Sequence, residues 1–221
     1  MSRNATVVWR HPSAVLLAAQ LLAVVIYPFL GESPTGRGLV SLVSLVVLVL
    51  AVRAVRSTPA WNWGWWLLGA PVAVLTVLEV VAPTNDAIVV ASALLHAAFY
   101  FYTSVGLILY MFRDRIVTRD ELFATGATFT VVAWAFAYMY VAAQIVWPGS
   151  FVAAINPTGE RTWFELLFLS FTTMTSTGLS DVIPVLPHAR ALVMIEQVAG
   201  LMYVAIVISR IVGLTLYRER A

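Results

Sequence analysis

Apolar residues run along this chain in blocks too long for the elements of a soluble core. Near-continuous apolar stretches cover residues 13–31, 37–56, 61–82, 87–112, 125–147 and 188–215, and about 20 such residues cross a bilayer as a helix. The pattern predicts six membrane-spanning helices. A shorter, semi-polar block, 160–184, interrupts it between the last two. There "ERTWFELLFLSFTTMT" reads as one amphipathic helix over 160–175, too short and too rich in hydroxyls at its end to span, and "STGLSDVIP" follows it. Glycine, serine and proline favour irregular backbone, which is tolerated at membrane depth only where it is buried in protein or lines a water-filled cavity. A half-helix followed by a segment that returns to the side it entered from is a re-entrant loop. Its C-terminal end points the negative pole of the helix dipole into the membrane, which favours cations.

Composition narrows the class. The 221 residues are 61% hydrophobic and 11% charged, with mean hydropathy +0.90, whereas soluble domains carry about 25% charged residues. The formal charge is +2, and every basic residue is an arginine, scattered along the chain; there is no nucleic-acid footprint. The absence of cysteine excludes disulfides, thiolate metal sites and cysteine nucleophiles. His11, His96 and His188 are far apart, and no G-x-S-x-G, H-E-x-x-H or P-loop occurs, so neither an enzyme nor a cofactor is expected. The first apolar run follows basic residues as a signal peptide does, but its length and the lack of a small-residue cleavage pattern read as a retained anchor.

In the six-span topology Arg3, Arg10, Arg53, Arg56, Arg113, Arg115, Arg119, Arg210, Arg218 and Arg220 fall on one side, against Arg37, Arg161 and Arg190 on the other. The positive-inside rule then makes both termini cytoplasmic in a cell (inner) membrane. Trp61, Trp63, Trp65, Trp66 and Trp147 sit at span ends, where an aromatic belt belongs. No connecting segment is long enough for a separate domain, and no internal repeat of the transporter kind is visible.

Residues 164–214, through "TTMTSTGLSDVIP" to the last span, resemble the pore helix, selectivity filter and inner helix of tetrameric potassium channels, in the six-span arrangement of a bacterial ion-channel family. The hydroxyl run Thr172, Thr173 and Thr175, then Gly178, Asp181 and Pro184, and Gly200 where that family commonly has a hinge glycine, carry the resemblance. It implies an all-α membrane protein with six transmembrane helices, a re-entrant pore helix and filter between helices five and six, and assembly as a homotetramer in the lipid bilayer. Residues 1–112 would form a voltage-sensor-like four-helix domain, 113–124 an interfacial linker and 125–221 the pore domain. The filter would be Thr175, Ser176, Thr177, Gly178, Leu179, Ser180 and Asp181. A monovalent cation, potassium by resemblance, would be held by the carbonyls of Ser176, Thr177, Gly178 and Leu179, with the Ser176 hydroxyl at the inner end.

The family pattern is Thr-Val-Gly-Tyr-Gly-Asp, and only the first glycine and the acid survive here. Leu179 replaces the tyrosine, and Phe168 and Leu169 stand where tryptophans commonly brace the filter. Ser180 replaces a glycine whose left-handed backbone a Cβ penalises by roughly 1–2 kcal/mol. The expected function is passive conduction of monovalent cations with altered selectivity. The alternatives are a non-selective or sodium-permeable channel, a secondary transporter, and a non-conducting channel-like subunit.

Span four has no arginine before its cytoplasmic end, so steep voltage dependence is not expected. Glu79 and His96 are ionisable groups inside the first four spans. A proton-sensing pair is one reading; the expectation is that they lie at different depths, His96 bonded to a neighbouring helix and Glu79 reaching the outer interface. Glu196, one turn before Gly200, either faces the cavity and concentrates cations or faces the pore helix and supports the filter. Glu165 complements the N-terminus of the short helix, Phe171 and Met174 pack it, and Arg161 and Arg190 pair with Asp181, Glu160 or lipid. Asp114, Asp120 and Glu121 are expected in exposed pairs with the linker arginines.

Overall fold

The computed structural model describes residues 11–30, 46–47, 49–51, 64–81, 84–113 and 118–219. The expected span at 37–56 lies mostly outside them, as do seven of the arginines behind the orientation and the side chains of Trp61, Trp63, Trp65 and Trp66. The elements in chain order are α1 (Pro12–Leu30), α2 (Gly64–Val81), α3 (Asp86–Met111), α4 (Arg119–Val146), β1 (Phe151–Ala153), α5 (Trp163–Met174), β2 (Val182–Pro184) and α6 (Pro187–Glu219). Four of the described helices, α1, α3, α4 and α6, are long and apolar enough to cross a membrane, while α2 and α5 carry shorter apolar stretches. The chain is a mostly helical, multi-pass membrane protein.

Lipid tails are as apolar as leucine, so burial alone does not hold membrane helices together; close packing of small residues and interhelical hydrogen bonds do. Helix α4 has both. Ala127, Ala133, Ala135 and Ala137 are fully buried along it, letting neighbours approach. Helices α3 and α4 form an antiparallel hairpin: the Tyr110 hydroxyl donates to Asp120 at one end (3.0 Å), and Phe101 meets Phe136 edge-on further along (5.2 Å). Helix α1 lies along α4, and near its C-terminal end Tyr27 stacks on Phe164 of α5 (4.7 Å, 7°). Leu16, Phe99, Tyr100, Trp134 and Leu167 form the shared core. Helix α1 thus rests on α4 and on the start of α5.

Helix α4 starts at Arg119 rather than at residue 125 because Thr118 caps it, its hydroxyl accepting the Glu121 N–H at 3.2 Å. This corrects the reading of Asp120 and Glu121 as exposed linker charges: both are buried. Asp120 accepts the Ser13 N–H (3.2 Å) and hydroxyl (2.8 Å), tying α1 to the hairpin. Glu121 meets Arg210 of α6 at 3.7 Å, and the Arg210 guanidinium lies 4.7 Å from the Phe112 ring centroid.

Candidate functional site

Helix α5 begins at Trp163, not residue 160, because Thr162 and Glu165 close a capping box. The Thr162 hydroxyl accepts the Glu165 N–H (3.2 Å), and the Glu165 carboxylate accepts the Thr162 N–H (2.6 Å). Two of the donors that every helix start leaves unpaired are satisfied this way. The preceding loop folds around Arg161. That residue is 3% exposed, and its guanidinium donates to the carbonyls of Ile155, Asn156 and Gly159 and lies 3.6 Å from Glu165. Its own backbone N–H and carbonyl are held by the Gln144 side-chain amide (3.0 and 2.8 Å). The expectation that Arg161 pairs at the mouth with Asp181 or Glu160 is corrected: five donors in a rigid fork suit it to gathering several carbonyls. Arg190 likewise donates to the Pro184 carbonyl (3.2 Å).

The C-terminal end of α5 turns sharply. Thr175 is the C-cap, and Ser176 follows at φ 58°. The Ser176 N–H donates to Thr173 and the Thr177 N–H to Thr172, each at 3.0 Å. This is the Schellman arrangement, which ordinarily places glycine where Ser176 stands. The Gly178 N–H also turns back to the Thr172 carbonyl (3.1 Å), with Gly178 itself at φ 65°. Three successive N–H groups therefore point into the helix end. Among the described residues none of the carbonyls of Ser176 to Ser180 accepts a hydrogen bond. The Thr175 hydroxyl donates to the Phe171 carbonyl (2.7 Å) and lies 3.0 Å from the Thr177 hydroxyl, tying the helix end to the segment.

Ser180 corrects a second expectation. Its backbone is not left-handed; Ser176 and Gly178 carry the positive φ. The Ser180 hydroxyl instead accepts the Val182 N–H at 3.1 Å, a local side-chain turn typical of serine. Ser176→Gly is therefore expected to stabilise the protein by about 1–2 kcal/mol, while Ser180→Gly gives no such gain. Thermal unfolding of the two variants in detergent checks the contrast.

Beyond Asp181 the chain is pinned by a two-stranded antiparallel sheet, with Phe151 opposite Pro184, Val152 opposite Ile183 and Ala153 opposite Val182. Proline ends the pairing where no ladder donor is needed. Behind the segment stand α4 and α6. Glu196 is fully buried and faces α5, accepting hydrogen bonds from the hydroxyls of Tyr140 on α4 and Ser170 on α5. Ser170 also lies 2.8 Å from the Ala133 carbonyl. One carboxyl group thus joins three helices behind the turn. Gly200 lies where α6 crosses the end of α5: a Cβ there would stand 2.5 Å from the Met174 carbonyl oxygen and 2.8 Å from its Cα. Helix α6 runs unbroken through this point.

Of the expected site residues, 175–181 lie together as one exposed, irregular segment, with Leu179 79% exposed. Glu196 and Gly200 back it from α6. Phe168 is half exposed, while Leu169 and Met174 are buried. Alongside the segment a cavity of about 470 Å³ is lined by Thr172, Thr173, Ser176 and Gly178 on one flank and by Val198 and Leu201 on the other. Sequence reasoning missed Tyr140, Ser170 and Gln144, since single polar residues inside apolar helices reveal no partner; "FVA" and "VIP" were the available sign of the sheet.

Residues 126–216 match the family model described as "Ion channel". The match takes in most of α4, the capped half-helix, the exposed segment and most of α6, and the family is one of ion channels, not of enzymes. No curated protein and no solved structure matches the chain. With its membrane-length helices, the chain is a multi-pass membrane protein that is similar, over residues 126–216, to a family of ion channels.

Proposed function

We propose that this chain is the subunit of a passive, potassium-channel-like cation channel, in which four copies surround one axis and the carbonyls of 176–180 replace the hydration shell of a monovalent cation. The observation that carries this reading is the turn after α5: it directs three N–H groups inward and leaves a run of carbonyls without internal partners. Oxygen dipoles in such a ring suit dehydrated alkali cations. Assembly is supported by the open cavity beside the segment and by α6, where Met194, Ile195, Val198, Leu201 and Met202 are each more than half exposed. In the assembly both termini face the cytoplasm, and a six-span topology is retained.

A less selective, sodium-permeable pore is favoured over strict potassium selectivity by the outer half of the segment. Leu179 brings no hydroxyl to brace the ring, and Ser180 spends its own on Val182. Uptake of radiolabelled rubidium by proteoliposomes tests the proposal. Wild type should equilibrate the tracer without saturation, and Gly178→Ala, which forces an L side chain onto φ 65°, should slow it strongly. Saturable uptake coupled to a second gradient would indicate a transporter, and no uptake a non-conducting subunit; either overturns the reading.

A further inference from the structure

Between α2 and α3, polar groups cluster inside the membrane that the conduction path does not use. His96 is 2% exposed. Its Nδ1 lies 2.9 Å from the Ser92 carbonyl and 3.3 Å from the Ser92 hydroxyl, and its Nε2 lies 3.3 Å from the Thr76 hydroxyl. Each hydroxyl has a single hydrogen, and both are committed: Thr76 donates to the Val72 carbonyl and Ser92 to the Glu79 carboxyl, each at 2.8 Å. Every atom facing the two ring nitrogens is therefore an acceptor. A neutral imidazole offers one N–H, whereas a doubly protonated ring satisfies both sides. Glu79 and His96, expected at separate depths, share Ser92 as a bridge.

The ring face lies flat on Tyr138 of α4 (4.5 Å, 11°), a π surface that favours a cation. The titratable groups around it are Glu79 on α2, Tyr100 on α3 (ring centroids 6.3 Å) and Tyr138 on α4. Tyr138 in turn contacts Trp163, the first residue of α5 (5.7 Å). A continuous line of contacts thus runs from Glu79, in the last turn of α2 on the membrane side that also carries the exposed segment, to the start of the half-helix.

We propose that His96, bridged to Glu79 through Ser92, is a proton-binding site loaded from the filter side of the membrane, whose occupancy biases α5 through Tyr138 and Trp163. The proton comes from bulk water and adds to Nε2 opposite Thr76; no other bond forms or breaks. The two titratable groups act as a pair, so the proton belongs to the cluster. The effect on current rests on the channel reading, whereas the proton site stands without it.

Two measurements on the full chain in bilayers separate the parts. The first is ¹⁵N-histidine NMR between pH 8 and 4.5, with His96→Gln identifying the His96 signals. Both ring nitrogens should become protonated within this range, and Glu79→Gln should move the midpoint to lower pH. A ring that stays singly protonated throughout would overturn the site. The second is macroscopic current against filter-side pH. Wild-type current should change by roughly 5-fold or more, within the range typical of coupled sites. Tyr138→Leu, which keeps the ring but removes its stacking partner, should flatten the dependence, and Tyr138→Phe should retain it. A Tyr138→Leu profile identical to wild type would overturn the coupling. Absence of wild-type current at every pH would overturn the channel reading and leave the NMR titration to decide the proton site.

Discussion

Gly200→Ala is expected to disrupt the packing of α6 against α5 and to abolish most conduction. The added Cβ would meet the Met174 carbonyl oxygen at 2.5 Å, its Cα at 2.8 Å and its carbonyl carbon at 3.0 Å. These are backbone atoms at the end of a helix, so no rotamer change relieves the contact; the helices must part. Overpacking of a tight interior typically costs about 1–3 kcal/mol, and here the strain falls beside the turn that positions residues 176–178. Thermal unfolding in detergent and tracer flux should both fall. If Gly200 acted only as a hinge, alanine would change opening while leaving the unfolding midpoint in place, which gives the experiment its discriminating power.

The second large effect is expected at Glu196. Replacing it with leucine removes the acceptor for two buried hydroxyls, Tyr140 and Ser170, from two different helices. Ser170 can turn its hydroxyl to the Ala133 carbonyl, so Tyr140 is the group left without a partner; an orphaned buried polar group costs about 1–3 kcal/mol, and Glu196→Leu should lose roughly that much. Glutamine has the same shape: its amide oxygen can accept from Tyr140, and its amide nitrogen can donate to Ser170, whose hydroxyl then serves the Ala133 carbonyl. Glu196→Gln should therefore retain stability and flux. A role in concentrating cations from the cavity would instead impair flux in both variants through loss of charge; the buried position of Glu196 facing α5 argues for support of the turn.

The long spans were legible because a bilayer imposes length and apolarity on them: α1, α3, α4 and α6 appear within a few residues of the runs that announced them. The short helix was legible for the opposite reason, since "TTMTST" has too many hydroxyls for lipid contact. Helix starts were misjudged where a cap decided them: Thr118 advances α4, and Thr162 with Glu165 delays α5. Ser180 was misread because the position of a glycine in a family pattern was taken to fix the handedness of its replacement, whereas the local hydroxyl bond to Val182 sets another backbone. The contacts of Arg161, Asp120 and Glu121 were hidden because each depends on a partner remote in sequence or on loop carbonyls whose placement no periodicity encodes.

The most direct measurement of the central claim is the reversal potential of purified protein in planar bilayers under a potassium chloride gradient. A pore lined by carbonyls is predicted to reverse close to the potassium equilibrium potential, with a smaller shift when sodium replaces potassium on one side, as the weakened outer filter implies. Reversal near zero under the salt gradient, or toward the chloride potential, would contradict a carbonyl-lined cation path through residues 176–180.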